Sequence, residues 1–180
     1  GGGGAGGGNS RRRVVAFDVC CGTGSIGICL VKGKACDRVV GCDISRPAID
    51  DARRNMALNG IGEDEAEFVA GKAEDVLRGQ VRREQERNAG SAVTYVAVVD
   101  PAREGLHPDV LKCLRSTRAI GTVVYVSCNP HASLPRDVAA LCGPTSKKVG
   151  GKPFVLEAVQ GVDMFPLTEH LEMVCVLKRE

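Results

Sequence analysis

The stretch Val14 to Gly27, VVAFDVCCGTGSIG, decides the fold. Its first half, VVAFDVC, is a nearly unbroken apolar run of strand length, the pattern of a strand buried on both faces. The run ends in a glycine turn whose Gly22, Gly24 and Gly27 satisfy GxGxxG, and SIGICLVKG continues as a helix. Glycines there permit positive φ and let a ligand approach the backbone. Strand, glycine turn and helix in immediate succession are the opening βα unit of a parallel sheet.

Outward from this unit the alternation repeats. RVVGCD (38–43) is a second strand and RPAIDDARRNMALNG (46–60) a second helix, with Pro47 in its first turn and Gly60 as its stop. AEFVA is a short strand, residues 72 to 88 a charged helix, VTYVAVVD a strong strand and HPDVLKCLRSTR a helix. TVVYVSC, the short helix ASLPRDVAALCG and two strand-like runs, FVLEAVQ and LEMVCVLK, complete the order, with the loop GVDMFPLTEH between the last two. The fold expected is therefore α/β, with a mostly parallel sheet buried on both faces. Residues 1–13, rich in Gly and Arg, read as a flexible lead-in, and residues 14–180 as one domain.

Composition removes several function classes. At 26% charged and 43% hydrophobic, the 180-residue chain is that of a globular domain and not of a disordered one. No apolar run is long enough to span a bilayer and the start carries no apolar signal region, so membrane and secreted readings are poor and an intracellular place is expected, cytosol or nucleus ahead of an organelle. Nine Cys are odd in number, scattered and without a CxxC pair, which fits reduced thiols better than bridges or a zinc site. The formal charge of +2 permits a nucleic-acid partner without arguing for one. No Trp, two Tyr and four Phe make an interleaved aromatic platform for stacking bases a poor expectation.

Ligands of such sheets bind at the carboxyl ends of the strands. Those ends hold Cys20 to Gly24, Asp43, Asp100 and Cys128 to Pro130. Asp43 lies about 20 residues beyond the glycine turn, where a carboxylate can accept bonds from two ribose hydroxyls; a plain helix N-cap is its alternative. The glycine turn alone suits a nicotinamide dinucleotide as well as S-adenosylmethionine. Asp18, inside the first strand, favours the second: a carboxylate there suits an ammonium and a sulfonium, and has the wrong sign for a pyrophosphate.

DVCCGTGSIG, VVDPAREGLHPDV, YVSCNP and MFPLTEHLEMV, in that order, resemble the RNA uracil-5-methyltransferases that make 5-methyluridine, most of all the eukaryotic tRNA (uracil-5-)-methyltransferases of the homologue A branch. The resemblance spans Val14 to Lys178 and is most specific in SCNP followed later by HLE. It implies a Rossmann-like class I methyltransferase with a seven-stranded type of sheet ending in an antiparallel strand. It further implies S-adenosyl-L-methionine as donor and the T-loop uridine of tRNA as substrate. Cys128 matches the family's nucleophile and Glu172 its general base; Gly22, Gly24, Ser25, Asp43 and Asp100 fall, with Asp18, on donor-side positions. His170 either orients the base or is an ordinary surface histidine. The basic residues Arg53, Arg54, Arg82, Arg83, Lys147, Lys148 and Lys152 are expected mostly on solvated faces, and none is assigned to RNA.

Several positions depart from the family pattern. Ala102 stands for the second proline of DPPR, Asp43 for a more usual Glu, and Cys20 and Ser25 for Tyr and Asn of bacterial members. Family members also carry a donor-contacting FxQxN helix before the first strand and an upstream RNA-binding part, where this sequence has glycines and arginines; the chain is read as a fragment that needs such a part. An RNA cytosine-5-methyltransferase would carry Cys where Ala102 stands. An exocyclic-amine methyltransferase would need an aromatic where Arg103 stands. A nicotinamide-dependent oxidoreductase leaves SCNP and HLE unexplained. A non-catalytic S-adenosylmethionine- or RNA-binding module stays open and would be indifferent to the loss of Cys128.

Overall fold

The computed structural model describes residues 12–146 and 149–179. Twelve elements follow in the order β1 (Arg13–Val19), α1 (Ser25–Lys32), β2 (Arg38–Asp43), α2 (Arg46–Leu58), β3 (Ala66–Ala70), α3 (Ala73–Arg87), β4 (Val93–Val99), α4 (Pro108–Ser116), β5 (Ile120–Ser127), α5 (Ser133–Cys142), β6 (Val155–Val162) and β7 (Glu172–Lys178). The strands form one seven-stranded sheet in the order β3-β2-β1-β4-β5-β7-β6. The pairs among β3, β2, β1, β4 and β5 are parallel, and β7 runs antiparallel to both β5 and β6. This is the Rossmann-like methyltransferase arrangement expected, with β7 as the reversed strand. Residues 1–11, most of the expected lead-in, lie outside the described residues; β1 itself begins at Arg13.

Alternation along β1 divides the core. Val15, Phe17 and Val19 pack with α3, α4 and α5 on one face, while Ala16 packs with α1 and α2 on the other. The second face departs from the expectation of a doubly buried sheet. Helices α1 and α2 cover β1 to β3, whereas Val124, Val126, Val174 and Val176 are only half-buried and β6 is exposed along nearly its whole length. Continuous apolar composition marks a strand's capacity for burial on two faces; which faces are covered depends on where the helices cross.

Close approaches tie the glycine turn to β2 and β3. The Phe68 ring on β3 lies where side chains at Gly24 and Gly41 would have to be: an added Cβ would sit 2.8 Å and 2.4 Å from it. Arg38, 2% exposed, joins β2 to its surroundings by bonds to Glu84, Glu67 and the Glu63 carbonyl, all at 2.6–2.7 Å. The chain runs outward from β1 to β3 and returns to β4 on β1's other side. The carboxyl ends of β1 and β4 therefore flank a topological switch point, where α/β sheets open a crevice. No helix among the described residues is long and apolar enough to cross a membrane.

Candidate active site

A cavity of 490 Å³ opens at that crevice, lined by Cys20 after β1, Asp43 at the end of β2 and Ile44 beyond it, Lys72 and Glu74 after β3, and residues 100–102 and 105–107 after β4. The carboxyl-end rule anticipated the first, second and fourth of these strand ends. Lys72, Glu74 and Ile44 were missed, although the same rule applied to β3 would have found the first two.

Asp43 Oδ2 accepts from Gly22 N (2.9 Å) and its Oδ1 from Ser45 N (2.8 Å). The N-cap of α2 is Ser45, whose hydroxyl accepts from Ala48 N, so Asp43 is not a capping residue. Its two backbone bonds lock the carboxylate at the cavity wall, and each oxygen retains a lone pair for a hydroxyl. Asp100 lies opposite on the cavity wall, its carboxyl held above the usual range by burial.

Asp18 does not line the cavity; it is fully buried beneath the turn. Its Oδ2 accepts from Gly27 N at 2.9 Å, whereas Oδ1 is buried with no partner. Burial pushes its pKa up to about 6 against the opposing bond from Gly27, with the charges of Asp100 and Asp43 adding to the rise. Gly22 (φ +52) and Gly24 (φ +79, the N-cap of α1) adopt the left-handed backbone that the turn requires. Ser25 opens α1 with its Oγ exposed, 3.3 Å from Thr23 Oγ1. Gly22, Gly24 and Ser25 thus shape the turn beside the cavity without lining it.

Burial and neighbouring carboxylates push the Cys20 thiol up to about 11, and burial raises Cys21 and Cys42 as well. These three thiols are poor nucleophiles. Cys128 is half-buried just beyond β5 and outside that cavity. The β5–β7 ladder ends at the pair Ser127–Met173; Cys128 follows Ser127 in the chain and Glu172 precedes Met173. Burial and then the charge of Asp100 raise the pKa of Glu172, which places these two carboxylates within electrostatic reach of each other. Cys128 follows β5, Glu172 begins β7 and Asp100 follows β4.

A buried clamp, not anticipated from the sequence, holds the Asp100–Leu106 segment. Asp137 on α5 is fully buried; its Oδ2 accepts from Leu106 N (2.7 Å) and the Tyr125 hydroxyl (2.7 Å), and its Oδ1 from Arg136 (2.9 Å). Arg136 also donates to the Glu104 carbonyl, and Asn129, next to Cys128, donates to the Arg103 carbonyl. Gly105 (φ +81) is required because a Cβ there would lie 2.4 Å from Asp137 Oδ2. The only sequence signal was a lone acid on the buried face of a short helix.

His170 is exposed and meets Phe165 edge-on at 6.2 Å. Arg53, Arg54, Arg82 and Arg83 pair with Asp50, Asp51, Glu86 and Glu67, as solvated faces do. Lys147 and Lys148 lie outside the described residues. Among the described residues there is no cluster of His, Cys, Asp and Glu able to hold a metal.

Comparison with known proteins agrees with the fold. The family model "tRNA (Uracil-5-)-methyltransferase" matches residues 10–180. The chain is 42% identical over 167 residues to the human tRNA (uracil-5-)-methyltransferase homolog B, covering 92% of this chain and 31% of that protein. It is 41% identical over 162 residues to the mouse homolog A, covering 90% and 25%. The chain thus spans about a third or less of these relatives, and the A and B branches match it almost equally. Among solved structures, TrmK of M. capricolum in complex with S-adenosyl-homocysteine aligns with a TM-score of 0.61 at 12% identity, over 94% of this chain and 63% of that one. TrmN from Thermus thermophilus aligns at 0.60 and 18% identity, over 95% and 45%. At such identities the two structures speak for the fold.

Proposed function

The chain belongs to the tRNA (uracil-5-)-methyltransferase family, and from that premise we propose that it carries the methyl-transfer site for carbon 5 of an RNA uridine, the T-loop uridine of tRNA. The observation that supports this reading is the β5–β7 ladder, which ends at Ser127–Met173, the chain neighbours of Cys128 and Glu172.

The donor side fits a cationic ligand. Asp43 and Asp100 line the cavity, so two carboxylates face a bound cation there, while Asp18, with its unpartnered oxygen, lies buried beneath the turn. Asp43 would hold the ribose hydroxyls, and the Asp18–Gly27 bond would keep the glycine turn in shape beneath the donor. S-adenosylmethionine, when bound, supplies an electrophilic methyl group on a positively charged sulfur. Gly22, Gly24 and Ser25 form the turn that admits it.

Carbon 5 of uracil is too weak a nucleophile unaided. The Cys128 thiolate adds to carbon 6, forming a C–S bond and sending the electron pair into an enolate, which makes carbon 5 nucleophilic. After methylation Glu172 removes the proton from carbon 5; the electron pair returns to the C5–C6 bond and the C–S bond breaks. The raised pKa of Glu172 favours that role, because a more basic carboxylate takes a carbon-bound proton more readily. Asp100, between cavity and catalytic pair, would hold the ring beside the donor. The clamp from Asp137 keeps its segment in place.

The test is a covalent trap. The full-length protein is incubated with S-adenosylmethionine and a T-loop minihelix carrying 5-fluorouridine, and intact mass is read. Fluorine cannot leave carbon 5 as a proton does, so the thioether accumulates. An adduct that forms with the wild type and is lost in Cys128→Ala supports the reading; no adduct, or one that survives the substitution, overturns it.

A further inference from the structure

Leu167 is the most exposed large apolar residue among the described residues, with Met164 and Phe165 exposed beside it. All three lie in the loop joining β6 to β7. That loop is internally built: the Phe165 carbonyl accepts from Thr168 N (3.2 Å) and Oγ1 (2.7 Å), Phe165 N donates to Asp163 Oδ1 (3.2 Å), and His170 N donates to Thr168 Oγ1 (3.2 Å).

The Phe165–Thr168 bond closes a four-residue turn with Pro166 and Leu167 at its centre. Leu167 has φ +70. A turn with Pro second and a positive φ third calls for glycine or asparagine at that third place. Among the described residues the other two non-glycine positions with positive φ have local accounts: Lys34 follows the end of α1, and Cys20 begins the glycine turn. Leu167 breaks two local rules at one position, a strained backbone and an aliphatic side chain held entirely in water. Such conflicts gather at functional sites.

The placement says which function. Val162 pairs with Glu172, so the loop leaves and re-enters the sheet at the catalytic end, next to the strand that leads to Cys128. A uridine stacked within an RNA loop cannot present carbon 6 to a thiol; it must be turned out of the stack, and the gap left behind is apolar and base-sized. Aliphatic side chains fill such gaps where proteins unstack bases.

We propose that Leu167 is a wedge that enters the stacked RNA loop and occupies the space vacated by the target uridine. This rests on the methyl-transfer reading above and adds to it the structural class of substrate: a uridine held in a stack, not one in a free strand.

The test compares two 5-fluorouridine RNAs with the full-length protein: a hairpin whose target is stacked in its loop, and a short unstructured oligonucleotide with the same flanking sequence. Leu167→Gly relieves the positive φ, so the variant should melt no lower than the wild type. Its adduct should form at least about tenfold more slowly on the hairpin and within about twofold of wild type on the oligonucleotide. Leu167→Asn, which also tolerates this backbone, should behave alike. Equal loss on both RNAs, no loss on either, or a marked fall in melting temperature, as expected were Leu167 covered by protein, would each overturn the wedge. Failure of the wild type on both RNAs would overturn the methyl-transfer reading, and the wedge with it.

Discussion

Asp18 Oδ2 accepts a hydrogen bond from the backbone N–H of Gly27 at 2.9 Å, while the other oxygen of the same carboxylate is buried without a partner. The bond pins α1 to β1 across the glycine turn. It also explains Gly27, because a Cβ there would lie 3.0 Å from Asp18 Oδ2 and 2.9 Å from Val39 Cγ2. The unpartnered oxygen leaves the charged form costly.

That cost has a definite pH signature. The folded pKa of Asp18, about 6, exceeds its ordinary 3.8, so the native state binds the proton more tightly and stability falls as pH rises through that window. Asp18→Asn keeps an acceptor for Gly27 and removes the charge. The variant should be more stable than wild type by about 1–3 kcal/mol at pH 8, the gain fading towards pH 4. Calorimetric titration should find its affinity for S-adenosylmethionine lowered by at least about tenfold. A variant less stable than wild type in denaturant at pH 8 would refute the account.

Glu172→Gln should separate the two halves of the reaction. Without a base, carbon 5 keeps its proton, so with ordinary uridine a methylated covalent adduct should accumulate while turnover falls by about 10²–10⁴. In the wild type the rate should rise with pH as Glu172 loses its proton, at a midpoint above that of an ordinary carboxylate. Asp100→Asn removes one cause of that rise, so the limb should move to lower pH. A limb that stays put would show that Asp100 does not act on Glu172.

Asp137→Ala should free the segment that carries Asp100. It leaves Leu106 N and the Tyr125 hydroxyl as buried donors without acceptors, a loss of about 2–4 kcal/mol. Tyr125→Phe removes one donor and leaves Asp137 its bonds to Leu106 and Arg136, so it should cost only about 1 kcal/mol. Urea unfolding of the two variants decides; similar losses for both would mean that the clamp does not centre on Asp137.

Gly41→Ala tests the wedge of Phe68 against the sheet. The new Cβ would fall 2.4 Å and 2.6 Å from Phe68 ring carbons in a fully packed layer. A destabilisation of about 1–3 kcal/mol is expected from overpacking, and Phe68→Leu in the same chain should recover part of it. Thermal melts of the single and double variants would expose any other cause.

Much of this molecule was legible along the chain. The five helices and seven strands among the described residues follow from apolar runs and their punctuation, as with Pro47 and Gly60 around α2, because those signals are local and span one element at a time. Cys20, Asp43 and Asp100 could be placed on the cavity because strand ends are visible in the sequence and ligands gather there. Coverage of the sheet was not legible: TVVYVSC and FVLEAVQ look alike as strands, yet β5 is largely packed and β6 exposed.

The sequence by itself determined the order of elements, the glycine turn and the motifs that mark the family, since each lies within a dozen residues and depends on local backbone and side-chain chemistry. Only the tertiary structure decided how distant residues meet. It joined Ser127, the neighbour of Cys128, to Met173, the neighbour of Glu172, through an antiparallel ladder, gave Asp137 its three partners from α5, β5 and the β4–α4 segment, divided the fates of Asp18's two oxygens, and held Leu167 out at φ +70. Those relations depend on strand pairing and on burial, and burial is a property of the packed chain, which no stretch of sequence possesses alone.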